Sequence, residues 1–315
     1  MKASVIVSIY NGANILNKTI FRLFCQSISK NDYEVILVND GSIDESKKII
    51  QKFKNEINCI IINHGKNLGR CATKNSGIKI AKGEILIFLD CDIEVKDNFV
   101  QGHIEKHKIK DVVGVVSGIE YNSIEIKDKY QQYLNSSIRG SSNKVDFNNI
   151  HYKYFIMGCT SIKHAIIMEV GLLSEELTSY GIDLDYAYRI SKKYGKNLYQ
   201  DNGNSINLKN LKNLNEILID IQSFANGNLP KILSKHPELN ELLKIKYVKY
   251  FNGQIFYYFI GYLLINKITF SFIHMIIKVT PYPLSNYCIR YILGIQLLLS
   301  YRIFLKKRHH LIAFS

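Results

Sequence analysis

Acidic side chains are absent from the C-terminal segment of the chain. Between Leu242 and Ser315 there are ten Lys and Arg residues and no Asp or Glu, so only +4 of the formal net charge of +14 belongs to the first 241 residues. Because the neighbours of these charges are mainly Ile, Leu, Phe and Tyr, we expect an anionic membrane surface as the partner and no nucleic acid. The alternative is a basic helical subdomain that only packs on the core.

The same segment also lacks a long uninterrupted apolar run. Its longest uncharged stretch, Tyr250–Asn266, has 17 residues and includes Asn, Gln and Gly. A helix that crosses the hydrocarbon core of a bilayer needs about 20 apolar residues. We therefore expect helices that lie in the membrane interface, with Lys and Arg side chains reaching towards the headgroups.

Two further absences concern location. The chain does not open with a cationic stretch followed by an apolar one, so we expect no export. The six cysteines show no CxxC pair or other metal-ligand spacing, which is typical of reduced thiols in the cytoplasm. Together with the basic segment, these features predict a cytoplasmic protein that is peripheral on the cytoplasmic face of the membrane.

Two common nucleotide-binding motifs are missing. No GxGxxG follows the first predicted strand and GxxxxGK[ST] occurs nowhere, which argues against a dinucleotide dehydrogenase and a P-loop NTPase. Short apolar runs instead alternate with helix-period segments, and this pattern predicts a doubly wound, mostly parallel α/β sheet. The predicted strands are Val5–Ile9, Val35–Val38, Cys59–Ile62 and Ile85–Leu89, and helices are predicted to begin near Asp44, Arg70 and Ile162.

An Asp-x-Asp motif, Asp90-Cys91-Asp92, follows the fourth predicted strand directly. Ligands of parallel sheets bind at the carboxyl ends of the strands. Paired carboxylates at that edge are hard oxygen ligands of the kind that Mg²⁺ and Mn²⁺ prefer. Aspartates in this position also cap helices and turns, so the motif alone leaves both interpretations open.

Five segments, taken together and in this order, resemble the family 2 glycosyltransferases of GT-A fold. They are Ser8–Asn11, Val38–Asp44, Asn67–Gly77, Asp90–Asp92 and Asp183–Arg189. The resemblance covers residues 3–200. It implies inverting transfer of a sugar from a nucleotide-sugar donor, preferably a UDP-sugar, with the assistance of Mn²⁺ or Mg²⁺.

The resemblance also implies roles for individual residues. Asp40 would accept a hydrogen bond from the base, and Asp92, together with Asp90, would hold the metal ion. The residues that it assigns to binding the nucleotide-sugar are Tyr10, Asn11, Asp40, Asn67, Gly69, Arg70, Asn75 and Asp90.

Two departures from the family pattern affect the catalytic assignments. Ile182 stands where relatives commonly have Glu, but the aspartate usually assigned as general base is retained as Asp183, with Asp185 as the alternative. Many relatives also have a metal-binding His further along the chain, and Asn207 occupies that position here. An amide oxygen can ligate either cation, so Asn207 is the candidate third ligand.

We expect four segments along the chain. These are a nucleotide-sugar-binding half at 1–120, an acceptor-binding and catalytic half at 121–210, a helical connection at 211–243, and basic apolar membrane-associated helices at 244–315. The expected function is synthesis of a lipid-linked glycan or a surface polysaccharide, with the glycan or lipid-linked acceptor held at the membrane. The alternatives are a nucleotidyltransferase on a related sheet and a non-catalytic, membrane-associated scaffold that keeps the fold.

Overall fold

The computed structural model describes residues 1–121, 128–134, 136, 149–178, 180–195, 197–207, 212–251 and 253–313. The chain divides into two compact units. The first unit consists of Met1–Ile124, Gly140–Thr178 and Ile182–Asn210, and the second of Glu125–Arg139, Ser179–Gly181 and Leu211–Ser315. Residues 121–150, the first part of the expected segment 121–210, fall largely outside the described residues.

One eight-stranded sheet forms the centre of the first unit, with the strand order β3-β2-β1-β4-β7-β6-β8-β5. The strands are β1 (Ala3–Ile9), β2 (Tyr33–Asn39), β3 (Cys59–Asn63), β4 (Ile85–Asp90), β5 (Ile93–Val95), β6 (Gly114–Tyr121), β7 (Cys159–Lys163) and β8 (Leu198–Asn207). The helices are α1 (Ala13–Phe24), α2 (Ser46–Gln51), α3 (Arg70–Ile80), α4 (Phe99–Lys106), α5 (Lys129–Leu134), α6 (His164–Val170), α7 (Ile182–Tyr194), α8 (Leu214–Asn226), α9 (Asn228–Lys235), α10 (Leu239–Leu242), α11 (Ile255–Leu264), α12 (Lys267–Val279) and α13 (Leu284–Ala313).

The sheet is mixed, and its largest parallel part lies at one side. β3, β2, β1 and β4 are parallel neighbours, whereas β7 runs antiparallel to both β4 and β6. β8 is parallel to β6 and antiparallel to β5. The expected α/β class with a mostly parallel sheet is confirmed. Its parallel part brings the carboxyl ends of β1, β2 and β4 to one edge.

Apolar burial explains why β1, β2 and β4 form as the sequence predicts. β1 and β2 are nearly continuous apolar runs, and Val5, Ile6, Ile36 and Leu37 are fully buried. Strands covered on both faces are apolar at successive positions instead of alternating ones. α3 lies close against β1, because a Cβ added at Gly77 would overlap the Ile6 side chain.

The sequence interpretation was wrong at two places in the secondary structure. The segment predicted as a helix from Ile162 to Val170 begins instead as β7, and α6 starts only at His164. Proline commonly interrupts a helix, which predicts a break at Pro230. The break lies instead at Gly227, because Pro230 stands in the first turn of α9, where its missing N–H would have no partner in the helix.

The described part of the second unit is helical and consists of α5 and α8–α13. α8 begins with a capping box: the Asn213 side chain accepts from the Glu216 N–H, and the Glu216 carboxylate accepts from the Asn213 N–H. This pairing satisfies backbone donors that the first helical turn leaves without partners. One face of α13 is buried, including Ile289, Ile292 and Ile295.

Length and composition make one helix of the described chain a candidate membrane span. It is Leu284–Arg308, with 25 residues and a mean hydropathy of 1.4, and 39% of its most apolar window is buried inside the protein. α11 and α12 pass the same test only as a pair, which is bent by 53°. The continuous α13 was not expected from the sequence, where Arg290 and Arg302 divide the apolar residues into short runs.

Arg302 is a buried cation within the second unit. Its side chain donates hydrogen bonds to the backbone carbonyl groups of Ile265 (2.7 Å) and Tyr247 (2.9 Å). Burial lowers the pKa of its guanidinium. Arg302 therefore stabilises a helix end and a turn inside the unit, and only nine of the ten basic residues remain for an external partner.

Candidate functional site

A cavity of about 260 Å³ lies in the first unit at the carboxyl ends of the parallel strands. The register places Ser8 of β1 beside both Val38 of β2 and Asp90 of β4, so the residues that follow these strands converge. The lining residues are Ser8, Ile9, Tyr10, Asp40, Asn67, Gly69, Arg70, Thr73, Asp90, Cys91, Asp92 and Thr178.

A buried lysine contacts the first aspartate of the Asp-x-Asp motif. The Lys74 Nζ lies 3.0 Å from Asp90 Oδ1 and 3.1 Å from Ser8 Oγ. The lysine side chain is 4% exposed and the aspartate side chain 29% exposed. A buried ammonium needs an anionic partner, and this contact therefore fixes Asp90 at the cavity wall.

One dipeptide, Met157-Gly158, contacts two of the carboxylate-bearing residues. The Gly158 carbonyl accepts from the Asp90 N–H at 2.8 Å, and the Met157 N–H donates to Asp183 Oδ1 at 2.8 Å. A Cβ at Gly158 would lie 2.8 Å from Asp90 Oδ2, so only glycine fits without a shift. The dipeptide therefore relates the position of Asp183 to that of Asp90.

Asp183 lies at the start of α7, close enough to the cavity residues Asp90 and Arg70 for their charges to affect its pKa. Burial raises the pKa of its carboxyl group, and the negative charge of Asp90 adds to the rise. The Met157 N–H and the positive charges of Lys74 and Arg70 act in the opposite direction. A carboxylate with a raised pKa takes up a proton more readily than an ordinary aspartate.

Asp185, the alternative base, is 1% exposed and is part of an ion pair inside the helix region. Its Oδ2 lies 3.1 Å from Arg189 Nε and accepts from Ser174 Oγ at 3.3 Å. The same guanidinium donates to the backbone carbonyl groups of Val170, the last residue of α6, and Leu172. Asp185 therefore holds Arg189 against the end of α6.

Asp40 receives three donors at the end of β2. Its Oδ1 accepts from the Leu68 N–H (2.9 Å) and lies 2.8 Å from His64 Nδ1, and its Oδ2 accepts from the Gly69 N–H (2.9 Å). Gly69 has a φ of 94°, a backbone conformation that favours glycine. The segment before α3 is thus built around the Asp40 carboxylate.

The other residues predicted to bind the nucleotide-sugar are placed differently from one another. Tyr10, Asn67 and Arg70 line the cavity, and Tyr10 is 48% exposed. The Asn11 side chain accepts from the Ile43 N–H. Asn75 is buried, and its amide hydrogen-bonds Leu173 and Glu175. Neither Asn11 nor Asn75 is among the residues that line the cavity.

The side chains of the Asp-x-Asp motif are chemically suited to bind a hard cation. Asp90 and Asp92 both line the cavity and offer carboxylate oxygens only. In the β5–β8 register the backbone of Asn207 pairs with Ile93, the residue that follows Asp92. The Asn207 side chain is outside the described residues. Within the described chain, no group of three or more His, Cys, Asp or Glu residues could hold a metal ion.

Comparison with known families decides the membership of the chain. A sequence model described as "Glycosyl transferase family 2" matches residues 4–171, which is more than half of the 315 residues. The chain belongs to glycosyl transferase family 2. The family predicted from the five motifs is therefore confirmed, and the matched region contains Asp40, Asp90, Asp92 and their contacts.

Curated relatives match part of this chain and part of their own length. The poly(ribitol-phosphate) beta-glucosyltransferase of Bacillus spizizenii is 37% identical over 94 residues, covering 29% of this chain and 15% of the relative. Glycosyltransferase GlyG of Streptococcus pneumoniae is 35% identical over 132 residues (42% and 43%), and the chondroitin synthase of Escherichia coli is 25% identical over 224 residues (60% and 32%). The chain thus spans less than half the length of these relatives.

Solved structures show the same fold over nearly the whole chain. TarS 1-349 of S. aureus in complex with UDP-GlcNAc aligns with a TM-score of 0.56 at 17% identity, covering 98% of this chain and 92% of TarS. The mannosyltransferase PcManGT of Pyrobaculum calidifontis in complex with GDP-Man and Mn²⁺ aligns with a TM-score of 0.63 at 12% identity, covering 96% and 87%. The predicted GT-A fold is confirmed.

Lys74 and His64 are among the residues with contacts to the site that the sequence did not reveal. Lys74 reads as a surface residue of an amphipathic helix, and His64 as a polar residue of a loop. A weak signal existed for both, because Lys74 lies within the Asn67–Gly77 motif and His64 follows β3 at the same sheet edge as Asp40.

Proposed function

We propose that this family 2 protein transfers a sugar from a nucleotide-sugar donor, preferably a UDP-sugar, to an acceptor hydroxyl with inversion at the anomeric carbon. The observation that carries the proposal is the convergence of Asp40, Asp90 and Asp92 on one cavity at the carboxyl ends of β2 and β4. In this assignment Asp40 accepts from the base, and the aspartate pair serves the ribose and diphosphate end. Tyr10, Asn67 and Arg70 complete the donor site.

We assign the general base to Asp183. Inversion requires the acceptor oxygen to attack opposite the leaving diphosphate, and a carboxylate must take its proton in the transition state. The Met157 N–H orients Asp183 Oδ1, and burial favours its protonated form. Asp185 is the weaker candidate, because its carboxylate is paired with Arg189.

Asp92 and Asp90 would hold Mn²⁺ or Mg²⁺, with the amide of Asn207 as the proposed third ligand. When bound, the cation would act as a Lewis acid that neutralises negative charge on the leaving nucleoside diphosphate. Lys74 contributes a fixed positive charge beside Asp90. Its contact with Asp90 Oδ1 holds the carboxylate in place before the donor arrives.

Donor hydrolysis tests the assignment of the aspartates. Purified protein with Mn²⁺ and a panel of UDP-, GDP- and dTDP-sugars is expected to release nucleoside diphosphate slowly without any acceptor. Asp92→Ala should abolish this release, whereas the control Asp97→Asn, which changes an exposed aspartate of the same unit, should leave it unchanged. Donor and metal binding by Asp92→Ala at wild-type strength would show that the metal assignment is wrong.

Asp183→Asn separates the base from donor binding. The substitution keeps the size and the acceptor oxygen for the Met157 N–H but removes the proton acceptor, so transfer should fall by about 10²–10⁴-fold. Donor affinity, measured by titration calorimetry, should stay within about twofold of wild type. Transfer at the wild-type rate would remove Asp183 from the mechanism.

We also propose that the protein binds the cytoplasmic face of the membrane through α11 and α12 and acts there on a glycan or lipid-linked acceptor. Apolar side chains are exposed along both helices, for example Phe256 (67%), Phe259 (58%) and Ile268 (83%). Lys267 and Lys278 flank this surface near the two ends of α12. α11 has 10 residues and α12 has 13, so at ~1.5 Å per residue neither spans a ~30 Å core and the interface suits them.

Vesicle sedimentation tests this attachment. The protein should sediment with vesicles of phosphatidylglycerol and phosphatidylcholine, and the triple substitution of Phe256, Phe259 and Ile268 by Ser should lose most of the bound fraction. Ile219→Ser is the matched control, since Ile219 on α8 is 66% exposed but lies on a different helix. Equal sedimentation of the triple variant and the wild type would refute the proposed surface.

A further inference from the structure

A chain of three side chains links β2, the end of β3 and α3 behind the donor site. His64 Nδ1 lies 2.8 Å from Asp40 Oδ1, and His64 Nε2 lies 3.0 Å from Ser76 Oγ. The side chains of His64 and Asp40 are 8% and 5% exposed. Water therefore competes little for these hydrogen bonds, and the three groups restrain one another.

The partners determine the tautomer of His64. The Asp40 carboxylate also accepts from the Leu68 and Gly69 N–H groups, so it acts as an acceptor and His64 Nδ1 must carry a proton. In the neutral ring Nε2 is then an acceptor, and the Ser76 hydroxyl donates to it. The Asp40 carboxylate therefore selects the tautomer, and the Ser76 hydroxyl, in the middle of α3, restrains the other side of the ring as a donor.

Counting acceptor positions shows what this arrangement leaves for a ligand. An ionised carboxylate offers about four lone-pair positions. His64 and Leu68 occupy the two on Asp40 Oδ1, and Gly69 occupies one on Oδ2. With respect to the described residues, one position on Oδ2 therefore remains. It suits the single N3–H of a uracil ring and opposes the unprotonated N3 of cytosine.

We infer that His64 is a positioning residue for base selection: together with Ser76 it fixes the Asp40 carboxylate so that a single acceptor faces the N3–H of a uracil-containing donor. The inference rests on the proposed role of Asp40 in the donor site. His64 and Ser76 are absent from the lining of the cavity, so they act on the base only through Asp40.

The Asp-His-Ser order also resembles the arrangement of a hydrolytic triad, but the surroundings oppose that interpretation. A nucleophilic serine needs a cavity for the substrate and donors for the oxyanion. Ser76 lies within α3, away from the cavity lining, and two backbone N–H groups of the donor-site segment are already bound to Asp40. The chain therefore orients Asp40 and does not activate Ser76.

Calorimetric titration of the full chain with UDP and with CDP, both in the presence of Mn²⁺, tests the inference. The two nucleotides differ only at one edge of the base. His64→Ala should weaken UDP binding about tenfold, the value of one charge-assisted hydrogen bond, and change CDP binding less than about twofold. His64→Asn, whose amide can donate from the position of Nδ1, should restore most of the UDP affinity, and Ser76→Ala should produce a smaller loss than His64→Ala.

His164→Asn is the matched control, because its ring contacts the Gly83 carbonyl at the opposite end of β4. It should leave the affinities for both nucleotides unchanged. Equal weakening of UDP and CDP in His64→Ala would reveal a structural role only and would overturn the inference, as would wild-type UDP affinity in that variant. If the wild type binds none of UDP, GDP and dTDP, the proposed function fails as well. If the wild type binds UDP and only the His64 results disagree, the inference fails and the proposed function stands.

Discussion

Acid should destabilise the first unit through two buried histidines that have no part in the donor site. His103 of α4 and His107, which follows the helix, both contact Ser161 Oγ of β7 at 2.8 Å, and Ser117 of β6 lies 3.0 Å from His103. Burial lowers the pKa of His103 to about 3 and that of His107 to about 4. The neighbouring His107 lowers the pKa of His103 further, and the positive charge of Lys163 lowers that of His107 further.

The sign and size of the effect follow from these values. A histidine whose pKa is lowered on folding adds stability above its unfolded pKa of 6.5, and that stability is lost as the pH falls towards the folded value. Each group contributes a slope of at most about 1.4 kcal/mol per pH unit. Protonation of both histidines should together lower the free energy of unfolding by up to about 5 kcal/mol between pH 6.5 and pH 4.5. This is a large share of the stability of an ordinary domain.

Urea unfolding followed by circular dichroism at several pH values between 7.5 and 4.5 measures this slope. Carboxylates titrate in the same range, so the wild type is compared with His107→Gln, in which they are unchanged. The variant should lose about 1.4 kcal/mol per pH unit of the acid dependence. His107 Nδ1 has no hydrogen-bond partner within the described chain, and a Gln amide can replace the Nε2 contact with Ser161 Oγ, so the substitution should cost little stability at neutral pH. Identical slopes in the two proteins would refute the reasoning.

Three further substitutions probe packing and charge. Gly77→Ala should cost about 1–3 kcal/mol in urea unfolding, because the new methyl group overlaps a β1 side chain, whereas Gly65→Ala, with no atom within 4 Å of its Cβ, should be neutral. Arg302→Met should cost about 2–3 kcal/mol by leaving two buried carbonyl groups without a donor, and the exposed Arg290→Met should not, as thermal unfolding will show. Lys74→Met should weaken donor binding at least about tenfold by removing the cation beside the Asp-x-Asp motif, and Lys74→Arg should restore part of it; unchanged calorimetric affinity in Lys74→Met would contradict that role.

The parallel half of the sheet could be predicted from the sequence because burial on both faces leaves a simple pattern. β1, β2 and β4 are apolar at successive positions, and the polar residues after them mark the ligand edge. The predicted helix near Arg70 was also confirmed, as α3 begins at that residue. Local sequence determines these elements, so one chain is sufficient to find them.

β7 shows why the rest could not be predicted. Thr160 and Ser161 are fully buried in the middle of the sheet, where their hydroxyl groups hydrogen-bond a backbone carbonyl and two histidines. Polar residues at such positions give no strand pattern, because their burial depends on partners that are distant in sequence. The same reason hides His64 and Lys74, whose roles arise only from the neighbours that the fold brings to them.

The Met157-Gly158 dipeptide has a consequence for exchanging loops between relatives. Asp90 contacts the dipeptide through its N–H and Asp183 through its carboxylate, and β7 begins with the next residue. The spacing of the two aspartates is therefore independent of the length of the chain that precedes Met157. We expect grafts that end before Met157 to alter which acceptor is accepted and to leave donor cleavage intact. An insertion after Met157 should disable both.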